Sequence, residues 1–137
     1  MNRKDLKALA LTRLTEAKIL LANGEYSGAY YLAGYVVEFV LKACIAKQTR
    51  IHEFPEKQRA IDSWQHDPNK LINTAELQTE RNREISADKT FEANWNVVKD
   101  WKVDSRYEHT DQWKAEALIQ AISDKRHGVL RWLRRHW

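Results

Sequence analysis

The sequence predicts an all-α fold, an up-and-down bundle of four to five helices, on three observations. Hydrophobic residues recur at steps of three and four along most of the 137-residue chain. Only four glycines and two prolines are present, too few turn residues for a many-stranded sandwich or barrel. One long segment, residues 26–47, is apolar on nearly every side. A chain of this length, with 43% hydrophobic residues, is expected to form a single domain over residues 1–137.

The first helix is predicted over residues 4–22, where leucines and alanines share one face and charged side chains the other. Asn23 and Gly24 supply the left-handed turn that ends it. The many charges within the first twenty residues exclude the continuous apolar stretch of a secretory signal. The protein is therefore expected to be cytoplasmic.

The second helix, predicted over residues 26–47 with Ser27 as N-cap, has the length and apolarity of either a core helix or a membrane span. Glu38 and Lys42 lie inside it, and each charge would be costly in lipid, so a core helix is favoured and no membrane contact is expected. Their spacing of four, with the acid first, favours a structural ion pair. The alternative is a glutamate held beside a ligand pocket. Gly34 suggests that another element packs closely here.

Shorter elements are predicted for the rest of the chain. A polar connection occupies residues 48–65, and a third helix then begins with Asp67 as N-cap and Pro68 in the first position. The remaining segments are a loop or fraying helix over residues 80–89, a helix over 90–101, a loop over 102–109, and a last helix that Thr110 or Asp111 caps and that runs through Leu133.

Cofactor and metal chemistry find little support in the residue pattern. The single cysteine, Cys44, lies in an apolar run and is predicted to be a buried, unreactive thiol. The five histidines are dispersed, and no cluster has the spacing of metal ligands, so no metal site is predicted. No glycine-rich phosphate loop is present, and no cofactor is expected.

Positive charge is concentrated at residues 125–137, which hold five Lys or Arg, two His and no acid. Such a segment could attract phosphate or an acidic partner. The plainer alternative is that cations in a last helical turn complement the helix dipole. Arginine side chains can contact phosphates, and aromatic side chains can stack on bases; both types occur in this segment and in the preceding loop. The candidates for nucleotide or RNA contact are Arg106, Tyr107, Arg126, Arg131, Arg134 and Arg135.

Three motifs, in this order, resemble the HEPN family of small helical-bundle domains. Residues 20–47, LLANGEYSGAYYLAGYVVEFVLKACIAK, resemble the family's glycine turn and its second helix rich in small residues. Residues 65–77, QHDPNKLINTAEL, resemble its third-helix entry, with Pro68 in place of the usual apolar residue. Residues 101–107, WKVDSRY, resemble the segment that precedes the last helix in one bacterial branch.

The resemblance implies a helical bundle that commonly forms homodimers. HEPN domains often work beside a minimal nucleotidyltransferase in toxin–antitoxin or other stress and defence modules. Several branches are metal-independent ribonucleases that use an Arg, four to six residues, and a His: the His moves the proton of a ribose 2′-hydroxyl and the Arg stabilises the phosphate charge. At the corresponding place this chain has Arg106 and His109 with only two residues between them, which departs from that pattern.

Three functions follow as hypotheses. The first is a module that binds a nucleotide, RNA or a nucleotidyltransferase partner. The second is a ribonuclease toxin with Arg106 and His109 as its catalytic pair, or alternatively Arg131 and His136, which have four residues between them. The third is a non-catalytic homodimeric assembly module. His66 follows Arg59 at a spacing that fits the nuclease pattern, but it is expected instead to cap or pack at the third-helix entry.

Overall fold

A computed structural model describes residues 1–49, 54 and 56–137 of the chain. It is 75% helical and has no strand among the described residues, so the all-α class and the helical bundle are confirmed. The helices are α1 (Arg3–Ala22), α2 (Tyr26–Gln48), α3 (Lys57–Asp62), α4 (Pro68–Thr74), α5 (Gln78–Ala87), α6 (Lys89–Lys99), α7 (Gln112–Ser123) and α8 (Val129–Leu133). A 3₁₀ turn, Val103–Tyr107, lies between α6 and α7.

The five predicted helices correspond to α1, α2, α4, α6 and the pair α7 and α8. Two further helices occupy segments predicted as less regular: α3 lies in the polar connection, and α5 lies where a loop or fraying helix was expected. Neither α3 nor α5 contains a buried residue, which explains why the hydrophobic pattern did not predict them firmly. The part of the polar connection that holds His52 and Pro55 lies outside the described residues.

The turn between α1 and α2 forms where the sequence predicts it. Gly24 has a φ of 77°, the left-handed conformation that favours glycine. Asn23 Nδ2 donates a hydrogen bond to the carbonyl of Ile19 at 2.8 Å, satisfying one of the free carbonyl groups at the end of α1. The short turn lets α1 and α2 pack against each other along their length.

Ser27 does not cap α2, and that prediction was wrong. The helix starts at Tyr26, so the cap position is Glu25, two residues before Ser27, and it has no side-chain cap hydrogen bond. Ser27 lies within the first turn, where its Oγ accepts a hydrogen bond from the backbone N–H of Thr110 at 2.9 Å. The hydroxyl therefore joins the start of α2 to the segment before α7.

The central helix of the bundle is α2, which contacts α1, α4, α7, α8 and the 3₁₀ turn. It is long and apolar enough to cross a membrane by composition, but most of its apolar stretch is buried inside the protein. Cys44 is fully buried in this helix, and burial raises the pKa of its thiol to about 12. A neutral, inaccessible thiol is a poor nucleophile.

The predicted last helix is interrupted, so its continuity was predicted wrongly. α7 ends at Ser123, and Asp124 turns the chain away by accepting hydrogen bonds from the backbone N–H groups of Arg126 and His127. Gly128 follows, and a Cβ at this position would overlap the backbone carbonyl of Asp124. These side-chain hydrogen bonds replace helical ones, so the helix ends here. The hydrophobic pattern resumes in α8, which is why the sequence predicted one continuous helix.

Asp88 connects the start of α6 to that turn. Its Oδ1 accepts hydrogen bonds from the backbone N–H groups of Thr90 and Phe91, and its Oδ2 lies 2.7 Å from Nδ1 of His127. The hydrogen bond with His127, followed by the one from Phe91, lowers the pKa of the Asp88 carboxyl below its ordinary value. The ionised carboxylate is therefore the form that the folded state favours.

Replacing Asp88 by asparagine tests this linkage, because asparagine keeps the cap acceptor and loses the charge. A carboxyl whose pKa is lowered on folding adds stability above its unfolded pKa, about 3.9, and loses that contribution as the pH falls through the folded value. We expect wild type to exceed Asp88→Asn in urea midpoint at pH 6, with the difference shrinking below about pH 4. Asp104→Asn, at an exposed carboxylate with no described hydrogen bond, is the control. A difference that does not change with pH would contradict the linkage.

Candidate phosphate-binding site on helix α2

One side of α2 carries polar and aromatic side chains in place of core aliphatics. Tyr31, Tyr35, Glu38 and Lys42 follow one another at steps of four, three and four, so they share one side of the helix. The hydroxyls of Tyr31 and Tyr35 are hydrogen-bonded at 3.1 Å, and their rings meet edge to face. Burial, the hydrogen bond to Tyr31 and the charge of Glu38 raise the pKa of Tyr35, so its phenol stays protonated.

Glu38 is the buried charge at the centre of this side, with only 1% of its surface exposed. The Nζ of Lys42 lies 3.8 Å from its Oε1, the pair predicted from the sequence. The Nδ1 of His66 hydrogen-bonds with the same oxygen, although His66 lies at the entry to α4. Two cationic or polar partners satisfy a carboxylate that water cannot reach, which lowers the cost of burying it.

His66 is positioned by Glu38 and does not cap α4, because Asp67 accepts the hydrogen bond from Asn69 N–H at that end. Its ring packs edge-on against Tyr35, with centroids 6.3 Å apart. A carboxylate only accepts hydrogen bonds, so the hydrogen of the Glu38 contact belongs to Nδ1 and leaves Nε2 for another partner. With 48% of its side chain exposed, His66 presents an oriented imidazole at the surface.

Arg106 and Tyr107, in the 3₁₀ turn, extend this surface past Tyr31. The guanidinium carbon of Arg106 lies 4.7 Å from the ring centroid of Tyr107. The phenol groups of Tyr107 and then Tyr31 raise the pKa of the guanidinium, which stays positively charged. Among the residues that the structure describes, Arg106 has no carboxylate partner. We call the surface formed by Tyr31, Tyr35, Glu38, His66, Arg106 and Tyr107 the α2 site.

Trp101 packs beneath the surface of the α2 site, against Tyr35. It is almost fully buried, stacks edge-on against Tyr35 with centroids 5.4 Å apart, and covers Gly34. A Cβ at position 34 would overlap the indole, so the absence of a side chain there lets Trp101 lie against α2. Close packing at Gly34 thus positions the 3₁₀ turn that carries Arg106.

His109 is not part of this cluster. It is exposed and, in the described part of the chain, has no hydrogen bond or ion pair with another residue. The predicted pairing of Arg106 with His109 rests on their proximity in sequence. His66 belongs to the cluster instead. Its ring packs against Tyr35, whose hydroxyl is hydrogen-bonded to that of Tyr31, the neighbour of Arg106.

The predicted arginines near the end of the chain lie elsewhere. The carbonyl of Leu133, in α8, is 3.9 Å from Sγ of Cys44, which is roughly 20 Å along α2 from Tyr31 and on the opposite side of that helix. Arg135 forms an ion pair with Glu84 at 3.6 Å. The structure therefore separates Arg106 and Tyr107 from the other candidates, which are Arg126, Arg131, Arg134 and Arg135.

Comparison with known proteins decides the family. A family model described as the HEPN domain matches residues 4–136, nearly the whole chain. The chain belongs to the HEPN family. No curated protein and no solved structure matches it.

In this HEPN domain, the three motifs that resemble the family meet at the α2 site. The first motif supplies Tyr31, Tyr35 and Glu38, the second supplies His66, and the third supplies Arg106 with Tyr107. Segments that are far apart in sequence thus contribute to one surface. Sequence reasoning missed Tyr31, Tyr35 and His66 as members of a site. For His66 the reason is that a histidine at a helix entry has an ordinary packing role.

Metal ligation has no structural support in the described ranges 1–49, 54 and 56–137. Within them, no group of three or more His, Cys, Asp or Glu side chains is close enough to hold an ion. His52, one of the five histidines considered in the sequence, lies outside these ranges. The chemistry available at the α2 site is that of a guanidinium, an imidazole and phenol hydroxyls.

Proposed function

We propose that this HEPN domain binds a nucleotide or an RNA residue at the α2 site. The observation that supports it is the Arg106 guanidinium, which has no described carboxylate partner and lies beside the phenol groups of Tyr31 and Tyr107. A guanidinium beside hydroxyl donors suits a phosphate group, which accepts several charge-assisted hydrogen bonds. Tyr107, with 77% of its surface exposed, offers a ring on which a base can stack.

We also propose a cellular role and partners for the domain. HEPN domains often act in toxin–antitoxin or other stress and defence modules, and we propose such a cytoplasmic role here, with a minimal nucleotidyltransferase as partner. We further propose that the domain works as a homodimer. Trp64 and Trp113, which are 81% and 83% exposed, are large apolar side chains of the kind that protein interfaces use.

Calorimetric titration with AMP at low salt tests the proposal. We expect saturable binding that weakens at least about tenfold in Arg106→Ala, because a charge-assisted hydrogen bond contributes about 1.5–3 kcal/mol. Arg106→Lys should keep part of the affinity, since a point charge replaces a planar fork. Arg83→Ala is the control, since Arg83 is a 70% exposed arginine on α5. Equal affinity in Arg106→Ala and wild type, or no binding at millimolar AMP, would contradict nucleotide binding here.

A metal-independent ribonuclease is the second candidate, and the pair formed by Glu38 and His66 favours it. A buried carboxylate that orients an exposed imidazole is an arrangement suited to proton transfer, and a nearby guanidinium can stabilise phosphate charge. If the domain cleaves RNA in the presence of EDTA, we expect His66→Asn to abolish cleavage and His109→Asn to retain it. If excess protein cleaved no RNA, the ribonuclease candidate would be excluded and nucleotide binding without catalysis would remain.

A further inference from the structure

A second surface, formed by α1, α8 and the turn before α8, carries an unusual share of the positive charge. Its members are cations that line two surface hollows. They are Arg3, Lys4, Lys7, Lys18, Lys125, Arg131 and Arg134, and we call them the basic face. We propose that the basic face binds the phosphate backbone of single-stranded nucleic acid. This surface is separate from the α2 site and goes beyond the nucleotide binding proposed there.

The arrangement of charge on α1 makes one side of this helix cationic. With about 100° per residue, Arg3, Lys7 and Lys18 lie within roughly 60° of one another around the helix. The acids Asp5 and Glu16 lie on the other side of α1, where Glu16 is paired with Arg13. The cations of the basic face therefore have no acidic neighbour on their own helix face.

Trp137 contacts one cation of each hollow. One hollow, of about 390 Å³, includes Lys7, and the other, of about 400 Å³, includes Arg134. The Nζ of Lys7 lies 4.6 Å from the ring centroid of Trp137, and the guanidinium carbon of Arg134 lies 5.2 Å from it. Arg3 donates a hydrogen bond to a main-chain oxygen of Trp137, the last residue of the sequence, at 2.6 Å. One cation from each hollow thus packs on the same indole ring.

No side-chain carboxylate neutralises the basic face. In the described part of the chain none of its seven cations forms an ion pair with an Asp or Glu side chain, whereas Arg135 on the same segment is paired with Glu84. The one acid that lines the hollows is Asp124. Its carboxylate accepts the backbone N–H groups of His127 and Arg126, which lower its pKa and occupy it in the turn. Several unpaired cations at close range repel one another and attract a polyanion.

The extent of the basic face favours a polymer over a single phosphate. Arg3 and Lys18 are separated by roughly 22 Å along α1, a distance that several consecutive phosphates of a strand would span. Lysines and arginines that track a backbone, with an aromatic ring between them, are the arrangement by which proteins hold single strands without reading sequence. Lys7 and Arg134, whose charged groups pack on the Trp137 ring, would supply phosphate contacts beside it.

Fluorescence anisotropy with a 12-nucleotide oligo(U) and a matching oligo(dT), at several salt concentrations, tests the proposal on the full chain. The variant Lys7→Gln/Arg131→Gln/Arg134→Gln removes three charges from the basic face. We expect its affinity for both oligonucleotides to fall at least about tenfold and the salt slope to decrease by roughly 2, because each lost phosphate contact to a single strand contributes about 0.7 to that slope.

The matched control, Arg83→Gln/Lys89→Gln/Lys99→Gln, removes the same net charge from α5 and α6 and should bind like wild type. An equal loss of affinity in both triple variants would overturn the proposal, since binding would then reflect net charge alone. Retention of wild-type affinity and salt slope in the Lys7/Arg131/Arg134 variant would also overturn it. So would preference for phosphatidylserine vesicles over both oligonucleotides at equal phosphate.

Separate readouts distinguish this surface from the α2 site. If the basic face acts independently, the Lys7/Arg131/Arg134 variant should bind AMP as wild type does, while Arg106→Ala should keep the salt slope for oligo(U). If the wild-type protein bound the oligonucleotides but not AMP, the nucleotide site would be contradicted and the basic face would remain supported. Loss of the oligonucleotide salt slope in Arg106→Ala would instead move the strand to the α2 site and overturn the basic face.

Discussion

Replacing Gly34 by alanine is expected to lower the free energy of unfolding by about 1–3 kcal/mol, the usual cost of overpacking a core. The added Cβ would overlap the indole of Trp101, which is 1% exposed and held against Tyr35. The indole cannot move without displacing the 3₁₀ turn that follows it. Thermal unfolding monitored by circular dichroism should show a melting temperature lower by roughly 5–10 °C.

Gly28→Ala on the same helix is the matched control. A Cβ at position 28 would lie 3.3 Å from Cδ1 of Leu20, the end of a flexible side chain that can move aside. Alanine is also the better helix former by about 1 kcal/mol, so this variant should match or exceed wild type in stability. If Gly34→Ala were equally stable, the close contact between α2 and Trp101 would be incorrect.

Removing the Glu38 carboxylate is expected to destabilise the domain by about 2 kcal/mol, because it lies fully inside and holds two side chains. A double-mutant cycle with Glu38→Gln and His66→Gln isolates the contact between them. We expect a coupling free energy of about 1 kcal/mol, reduced from that of a buried pair because half of the His66 side chain is exposed. Urea unfolding of the four proteins measures it.

A parallel cycle between Glu38 and Lys42 provides the comparison. Lys42 Nζ lies 3.8 Å from the carboxylate, at the outer limit of an ion pair, so its coupling should be the smaller of the two. Additive effects of Glu38→Gln and His66→Gln would mean that the two side chains do not interact in solution. In that case the imidazole would not be oriented by Glu38.

Elements with strong local signals could be predicted from the sequence. The boundaries of α1 follow from amphipathic spacing and the Asn23-Gly24 stop, and the start of α4 follows from Asp67 as cap and Pro68 behind it. Those signals act between neighbouring residues, so no tertiary information is needed to read them. The buried character of α2 was equally visible, because apolar residues surround it on all sides.

Contacts between distant segments could not be predicted in this way. Ser27 has the chemistry of an N-cap, yet its hydroxyl accepts from Thr110 because the segment before α7 packs there. His66 has an ordinary role available at the entry to α4, and only the packing of that entry against α2 brings it to Glu38. The α2 site consists of such long-range contacts, which explains why the sequence predicted Arg106 and Tyr107 without the residues around them.

Chemical-shift mapping of the isotopically labelled domain during titration with AMP tests the central claim most directly. The account predicts concentration-dependent shifts of the Arg106 guanidinium, the Tyr107 ring and the His66 imidazole, with those of Arg131 and Arg134 far smaller. Shifts confined to the basic face, or none at the α2 site up to millimolar AMP, would contradict a nucleotide site on α2.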